Sequence, residues 1–288
     1  MVDDAYLSSI PKYEEFNGWW FTPVCTTMVR VYKDFEHLGH ISLEDEVRSP
    51  LVDKHPELLE LLQKWKERPE YTLMVSPPKE ATPDEMIDCY QKMLMGCAYV
   101  RAYKRSKGDP DNAYASVDRV LRWITANSDF FYCPASARYH ESFPSGLVRH
   151  TLNVIEQIQD LRDGVPKFFQ VDLENAILVA AVHDWCKIGL YEQYIRNVKN
   201  EQTDQWEKKQ EYRYRQEGSP FPFGHGETSM YLAQKFFSLT MEEAAAIRWH
   251  MGAYHASKDQ LNDLQNSNER FPLVLMLQFA DQLAITKY

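Results

Sequence analysis

The stretch AAVHDWCKIG, residues 180–189, carries an apolar run directly into His183, Asp184 and Lys187. A core element that finishes in three ionisable groups needs partners for them, because a bare buried charge is strongly unfavourable. Two further residues meet the same difficulty. In GLVRHTLNVIEQI, His150 shares a helical face with Leu147, Val154 and Ile158, so its imidazole points inward. In FPLVLMLQFADQLA, Pro272 starts a helix on which Val274, Leu277 and Ala284 share the face of Asp281, which carries that carboxylate into an apolar layer. A lone inward histidine is ordinarily a core residue bonded to a neighbour, and His183 with Asp184 alone would be satisfied by one N–H to carboxylate contact. The added carboxylate of Asp281 calls for a cation, a metal or a proton. Two imidazoles and two carboxylates from three helices supply four nitrogen and oxygen ligands, a set suited to a divalent ion such as Mn, Fe, Ni or Mg.

Helices must hold such ligands, and the pattern of the chain is mainly α. Pro56 to Trp65 carries Leu58, Leu59, Leu61, Leu62 and Trp65 behind a proline suited to a first turn. Asp84 is a candidate cap for a helix in which Met86, Ile87, Tyr90, Met93, Leu94 and Cys97 recur at helical spacing. Residues 107–113 break the pattern, which Val117, Val120, Leu121 and Ile124 resume. Asp172 can cap, and Gly189 end, the helix that finishes in His183 and Asp184; Thr240-Met241-Glu242-Glu243 is a capping box ahead of His250. Tyr71 to Val75 reads as a short strand, and the aromatic opening at Trp19, Trp20 and Phe21 has no usable periodicity. A boundary near residue 110 divides a mostly helical N-terminal region of unassigned role (1–110) from a second domain (111–288).

Composition limits the function classes. With 288 residues, 44% hydrophobic and 13% aromatic, the chain can bury a full core. It holds no run of about 18 apolar residues that could cross a membrane, and the opening Met1-Val2-Asp3-Asp4 lacks the basic and apolar regions of a signal peptide, so a cytoplasmic protein is expected. Five scattered cysteines (Cys25, Cys89, Cys97, Cys133, Cys186) without a CxxC pair read as reduced, packed thiols. A net charge of -10 repels a broad polyanion such as duplex DNA, so any nucleic-acid contact must be local.

Six of the nine histidines (His140, His150, His183, His225, His250, His255) crowd into the second half. The order His150, then His183-Asp184, then Asp281, on helices, resembles the HD-domain superfamily of metal-dependent phosphohydrolases. PASARYHESFPSGLVRHTLNV is similar to the approach to that family's first ligand helix, AAVHDWCKIG to its HDxxK segment with Lys187 as the lysine, and FGHGETSM and IRWHMG to the extra histidine motifs of its two-metal branch. The resemblance covers about residues 130–288. It implies an HD-like helical bundle in which His150, His183, Asp184 and Asp281 hold one ion, while Asp184 bridges to a second held by His225 and His250. Many two-metal relatives have adjacent histidines at the fourth motif, whereas here Met251 follows His250 and the next histidine is His255. His250 is the expected ligand because it belongs to the helix; His255, beyond Gly252, is the alternative.

The resemblance further implies metal-activated water attacking a phosphate ester, with Asp184 as candidate general base and Lys187 steadying the phosphate. A small phosphorylated substrate, a nucleotide above all, is expected. Arg138, His140 and His255 are candidate substrate contacts. Between the second and third motifs, six basic residues are matched by six acidic ones, and the alternation Tyr212-Arg213-Tyr214-Arg215 suggests a β-hairpin arm, either a solvated insertion or a lid or substrate rim on which Trp206 or a tyrosine stacks a base. Two other activities belong to the same fold: phosphodiester cleavage from the 3' end of single-stranded nucleic acid, and di-iron oxygenase chemistry.

Overall fold

The computed structural model describes residues 19–25, 28–33, 36–42, 49–66, 81–108, 110–165, 170–200, 202, 204–254 and 256–286. The architecture is mainly α with small antiparallel sheets. The chain divides into two compact units, residues 1–121 and 122–288, and the division falls inside a helix rather than at the break over 107–113.

The first unit opens with β1 (Trp19–Cys25), β2 (Met28–Lys33) and β3 (Glu36–Ser42), an antiparallel sheet in the order β1-β2-β3. Trp19 and Phe21, two residues apart on β1, face inward with Val31 and Ile41. They pack with Val52 of α1 (Pro50–Lys54) and Leu58, Leu61 and Leu62 of α2 (Leu58–Lys66). This sheet is what the aromatic opening builds. Next come α3 (Pro83–Arg105) and α4 (Pro110–Ala126). The cap of α3 is Thr82 rather than Asp84: the Glu85 N–H donates to Thr82 Oγ1 and the Thr82 N–H to Glu85 Oε2, at 3.3 and 2.7 Å, while Asp84 sits in the first turn. The expected strand at Tyr71 to Val75 lies outside the described residues.

The second unit is a bundle of α5 (Gly146–Gly164), α6 (Leu173–Val182), α8 (Met241–Trp249) and α10 (Pro272–Thr286), with α7 (His225–Gln234) against α8 and α9 (Leu261–Arg270) against α10. Helix α6 lies at the centre. Leu173 to Val182 are buried except Asn175, so an apolar surface surrounds the helix instead of a stripe, as befits a core helix. Asp172 caps it by accepting from the Asn175 N–H at 3.0 Å. It ends at Val182, sooner than Gly189, and passes through His183 into a 3-10 turn, Trp185–Lys187. Strands β4 (Tyr191–Lys199) and β5 (Trp206–Tyr214) then form the arm as a full antiparallel hairpin, running from Tyr191 opposite Tyr214 to Lys199 opposite Trp206. No helix among the described residues is long and apolar enough to cross a membrane.

Candidate metal centre

Five separate pieces of chain converge on Asp184. Helix α5 brings His150, the end of α6 brings His183, α7 begins at His225, α8 delivers His250 immediately after its last residue, and α10 carries Asp281. His150 Nε2 lies 3.4 Å from Asp184 Oδ2 and 3.0 Å from Asp281 Oδ1. His183 Nε2 lies 3.5 Å from Asp184 Oδ2 and 3.8 Å from Asp281 Oδ1. On the other carboxylate oxygen, His225 Nε2 and His250 Nε2 approach Asp184 Oδ1 to 3.1 and 3.5 Å. All are buried except His225, which is partly open.

Local structure fixes these positions. Gly146 begins α5 where a Cβ would fall 1.9 Å from the Glu141 carbonyl oxygen, and Gly226 follows His225 where a Cβ would fall 2.1 Å from that of Arg248. Only a residue without a side chain allows α7 so close to α8. Gly226→Ala is therefore expected to cost about 1–3 kcal/mol by overpacking and to displace His225; a thermal melt like that of the wild type would contradict this. The 3-10 turn is held by Trp185, fully buried against Trp123, Phe236 and Phe237, and by the Cys186 N–H donating to Ser229 Oγ of α7 at 3.0 Å. The capping box ahead of α8 is closed by the Glu243 N–H donating to Thr240 Oγ1 at 3.2 Å and the Thr240 N–H donating to Glu243 Oε2 at 2.7 Å.

Hydrogen bonding at the far side of two rings decides what the near side can do. His183 Nδ1 lies 2.6 Å from the Ala180 carbonyl and His250 Nδ1 2.8 Å from that of Ile247. A carbonyl only accepts, so each Nδ1 carries the proton and each neutral ring presents a lone pair at Nε2. Those two Nε2 atoms are buried and make no hydrogen bond, yet they face the carboxylate oxygens of Asp184 and Asp281. Acceptor facing acceptor is repulsive unless a positive charge stands between them. A second proton on the ring or a shared cation supplies it, and a ring oriented by a backbone carbonyl is the usual arrangement of a metal-ligating histidine. His150, His183 and Asp281 place one donor atom each within 4.8 Å of one another, as do Asp184, Cys186 and His225. The described residues thus form buried groups that could hold a metal ion.

Without metal, protons take its place. Burial opposes charge on His150, but the hydrogen-bonded carboxylates of Asp184 and Asp281 outweigh it and hold the imidazole up at about 9. His250 shifts the same way against the same burial, drawn by Asp184 and Asp281. Burial pushes Asp184 and Asp281 up, yet neighbouring positive charge prevails: Lys187 and His183 beside Asp184, and His150 beside Asp281, hold both well below the carboxylate range. Burial depresses His225 and takes His140 down to about 4. A histidine whose folded pKa is raised contributes stability that is complete below its unfolded value and is lost as pH rises through the folded one. Metal-free protein is therefore expected to lose stability as pH climbs from about 6.5 to about 9, while its affinity for divalent metal rises as the competing proton leaves. Thermal melts and metal titrations at stepped pH check both, and a flat or opposite trend in either would be contrary to this balance of charges.

Lys187 is buried, with Nζ 2.6 Å from Asp184 Oδ2. Of the other candidates, Arg138 is exposed and His140 is half-buried with its ring 5.0 Å from that of His150. His255 lies outside the described residues. Sequence reasoning passed over two members of the site. Cys186 lies within 3.3 Å of His225, and Glu141, beside His140, shares a possible ligand group with His140 and His150. A lone thiol without a CxxC partner reads as packing, and Glu141 precedes the helix whose periodicity reveals His150. A cleft of about 220 Å³ opens beside His225, lined among others by Glu227, Arg248 and Gln260.

Fold and site together define a helical domain with a buried histidine and aspartate cluster capable of binding metal. Comparison with protein-family models, with curated protein sequences and with solved structures finds no match to this chain.

Proposed function

We propose that this protein is a metal-dependent phosphohydrolase of the HD-domain kind, cleaving a phosphate ester of a nucleotide or similar small compound. The observation that carries the reading is the pair of buried, unbonded Nε2 atoms on His183 and His250 aimed at carboxylates, an arrangement suited to a cation. His150, His183, Asp184 and Asp281 would hold one ion, drawn from Mn, Fe, Ni or Mg, and His225 and His250 with Asp184 a second. A bound divalent ion lowers the pKa of water and neutralises phosphoryl oxygen. The chain's own groups do the rest. Lys187 keeps Asp184 ionised through their 2.6 Å contact and would supply fixed positive charge to a phosphoryl group bound beside it. Where only the first ion is bound, the Oδ1 oxygen of Asp184 is left free of metal and is the candidate acceptor for the proton of the attacking water. Arg248 lines the cleft beside His225, paired at 2.6 Å with Glu227, which lines it too.

A second reading, phosphodiester cleavage on single-stranded nucleic acid, draws on the hairpin: Trp206 stands 71% exposed at its tip end, available for stacking on a base. Protein purified without chelator, assayed for metal and then for phosphate release from nucleotides and sugar phosphates, tests the first reading. Metal-dependent orthophosphate release is expected. Ladder digestion of labelled single-stranded RNA without orthophosphate release would favour the second, and iron-dependent oxygen uptake would displace both.

A further inference from the structure

Cys186 occupies a place in the site that its role as a packed thiol does not require. Its Sγ lies 3.3 Å from the ring nitrogens of His225 and 3.8 Å from Asp184 Oδ1, the oxygen that also faces His225 Nε2 at 3.1 Å and His250 Nε2 at 3.5 Å. Bonds of about 2.3 Å to sulfur and about 2.0–2.2 Å to nitrogen and oxygen put tetrahedral donors roughly 3.3–3.6 Å apart. The separations among Cys186, His225 and Asp184, from 3.1 to 3.8 Å, straddle that range. A second observation concerns the same Asp184 oxygen: His250 Nε2, 3.5 Å from it, is buried, its ring only 1% exposed, and makes no hydrogen bond. Among the described cysteines, Cys186 alone belongs to a group of donors able to share an ion.

We propose that Cys186 is a thiolate ligand of the second metal site, sharing the ion with His225 and Asp184, whose donor atoms and its own lie within 4.8 Å of one another, while His250 approaches the same Asp184 oxygen. This rests on the reading of the cluster as a metal centre. Binding releases the thiol proton to solvent and forms the metal–sulfur bond, with no change of oxidation state. The two sites then differ in kind. His150, His183, Asp184 and Asp281 offer only nitrogen and oxygen, whereas a thiolate among the second set selects Zn, Fe(II) or Co(II) over Mg and Mn.

Cobalt(II) distinguishes the possibilities by absorption. The wild type, titrated to two equivalents, is expected to show visible d–d bands together with near-ultraviolet thiolate-to-cobalt charge transfer. Cys186→Ser should lose the charge transfer while keeping d–d bands from the first site. Charge transfer that persists in Cys186→Ser, or wild-type d–d bands without any charge transfer, would overturn the proposal and leave the metal centre standing. A wild type that binds no cobalt would overturn both. X-ray absorption of the zinc-loaded wild type needs no variant: a sulfur scatterer at about 2.3 Å is expected, and a shell of nitrogen and oxygen alone would refute the thiolate.

Discussion

His183→Ala is expected to remove bound metal and hydrolysis together while leaving the helices folded. The imidazole contributes one lone pair at Nε2, and its Nδ1 proton on the Ala180 carbonyl orients that lone pair. Losing a partner that merely orients a ligand weakens metal binding by about 10–100-fold, so losing the ligand itself should exceed that, with turnover falling by at least about 100-fold. The structural cost is smaller: one buried hydrogen bond and a vacated ring at the end of a helix whose cap and apolar surface are intact, a loss of a few kcal/mol at most. Metal analysis, a kinetic assay and far-ultraviolet circular dichroism on the same preparation separate the effects. Asp281→Asn is the near-isosteric counterpart and should behave alike. Full activity with unchanged metal content in either variant would reject the site.

The second large effect concerns His225. If it and His250 hold a second ion against Asp184 Oδ1, saturating Fe(II) should load close to two ions per chain, and His225→Ala should lower that towards one. Half of the two-ion clamp on attacking and leaving oxygens is then lost, so turnover should drop sharply while the first site persists. Saturation of the wild type at one ion, with full activity in His225→Ala, would make the site mononuclear. His250→Ala should follow His225→Ala, since His250 Nε2 faces the same carboxylate oxygen.

Much of the bundle was legible because its helices announce themselves by period. His150 could be placed inward from Leu147, Val154 and Ile158, all buried, and Asp281 from Val274, Leu277 and Ala284, likewise buried. Helix spacing cannot say that these ends meet, and convergence on one carboxylate is a property of packing. The first sheet escaped notice for a local reason. Trp19 and Phe21 face inward two residues apart on β1, but Trp20 between them is equally apolar, so the opening shows no alternation by which a strand is recognised. The hairpin showed only its last residues, because most of both strands is solvated and its cross-strand logic is ionic: Arg213 with Glu192 at 2.8 Å, Arg196 with Glu211 at 3.5 Å. The sequence leaves the cap of α3 open between two residues, since Thr82 and Asp84 both suit a cap and only the reciprocal bonds with Glu85 choose between them.

A divalent ion is expected among His150, His183, Asp184 and Asp281. Anomalous diffraction at the absorption edge of Mn, Fe or Ni, from crystals grown with that metal and no chelator, examines it directly. The expected result is an anomalous peak within bonding distance of Nε2 of His150 and His183 and of the carboxylates of Asp184 and Asp281. A map with no peak among those four side chains, from crystals in which the metal is present at saturating concentration, would contradict it.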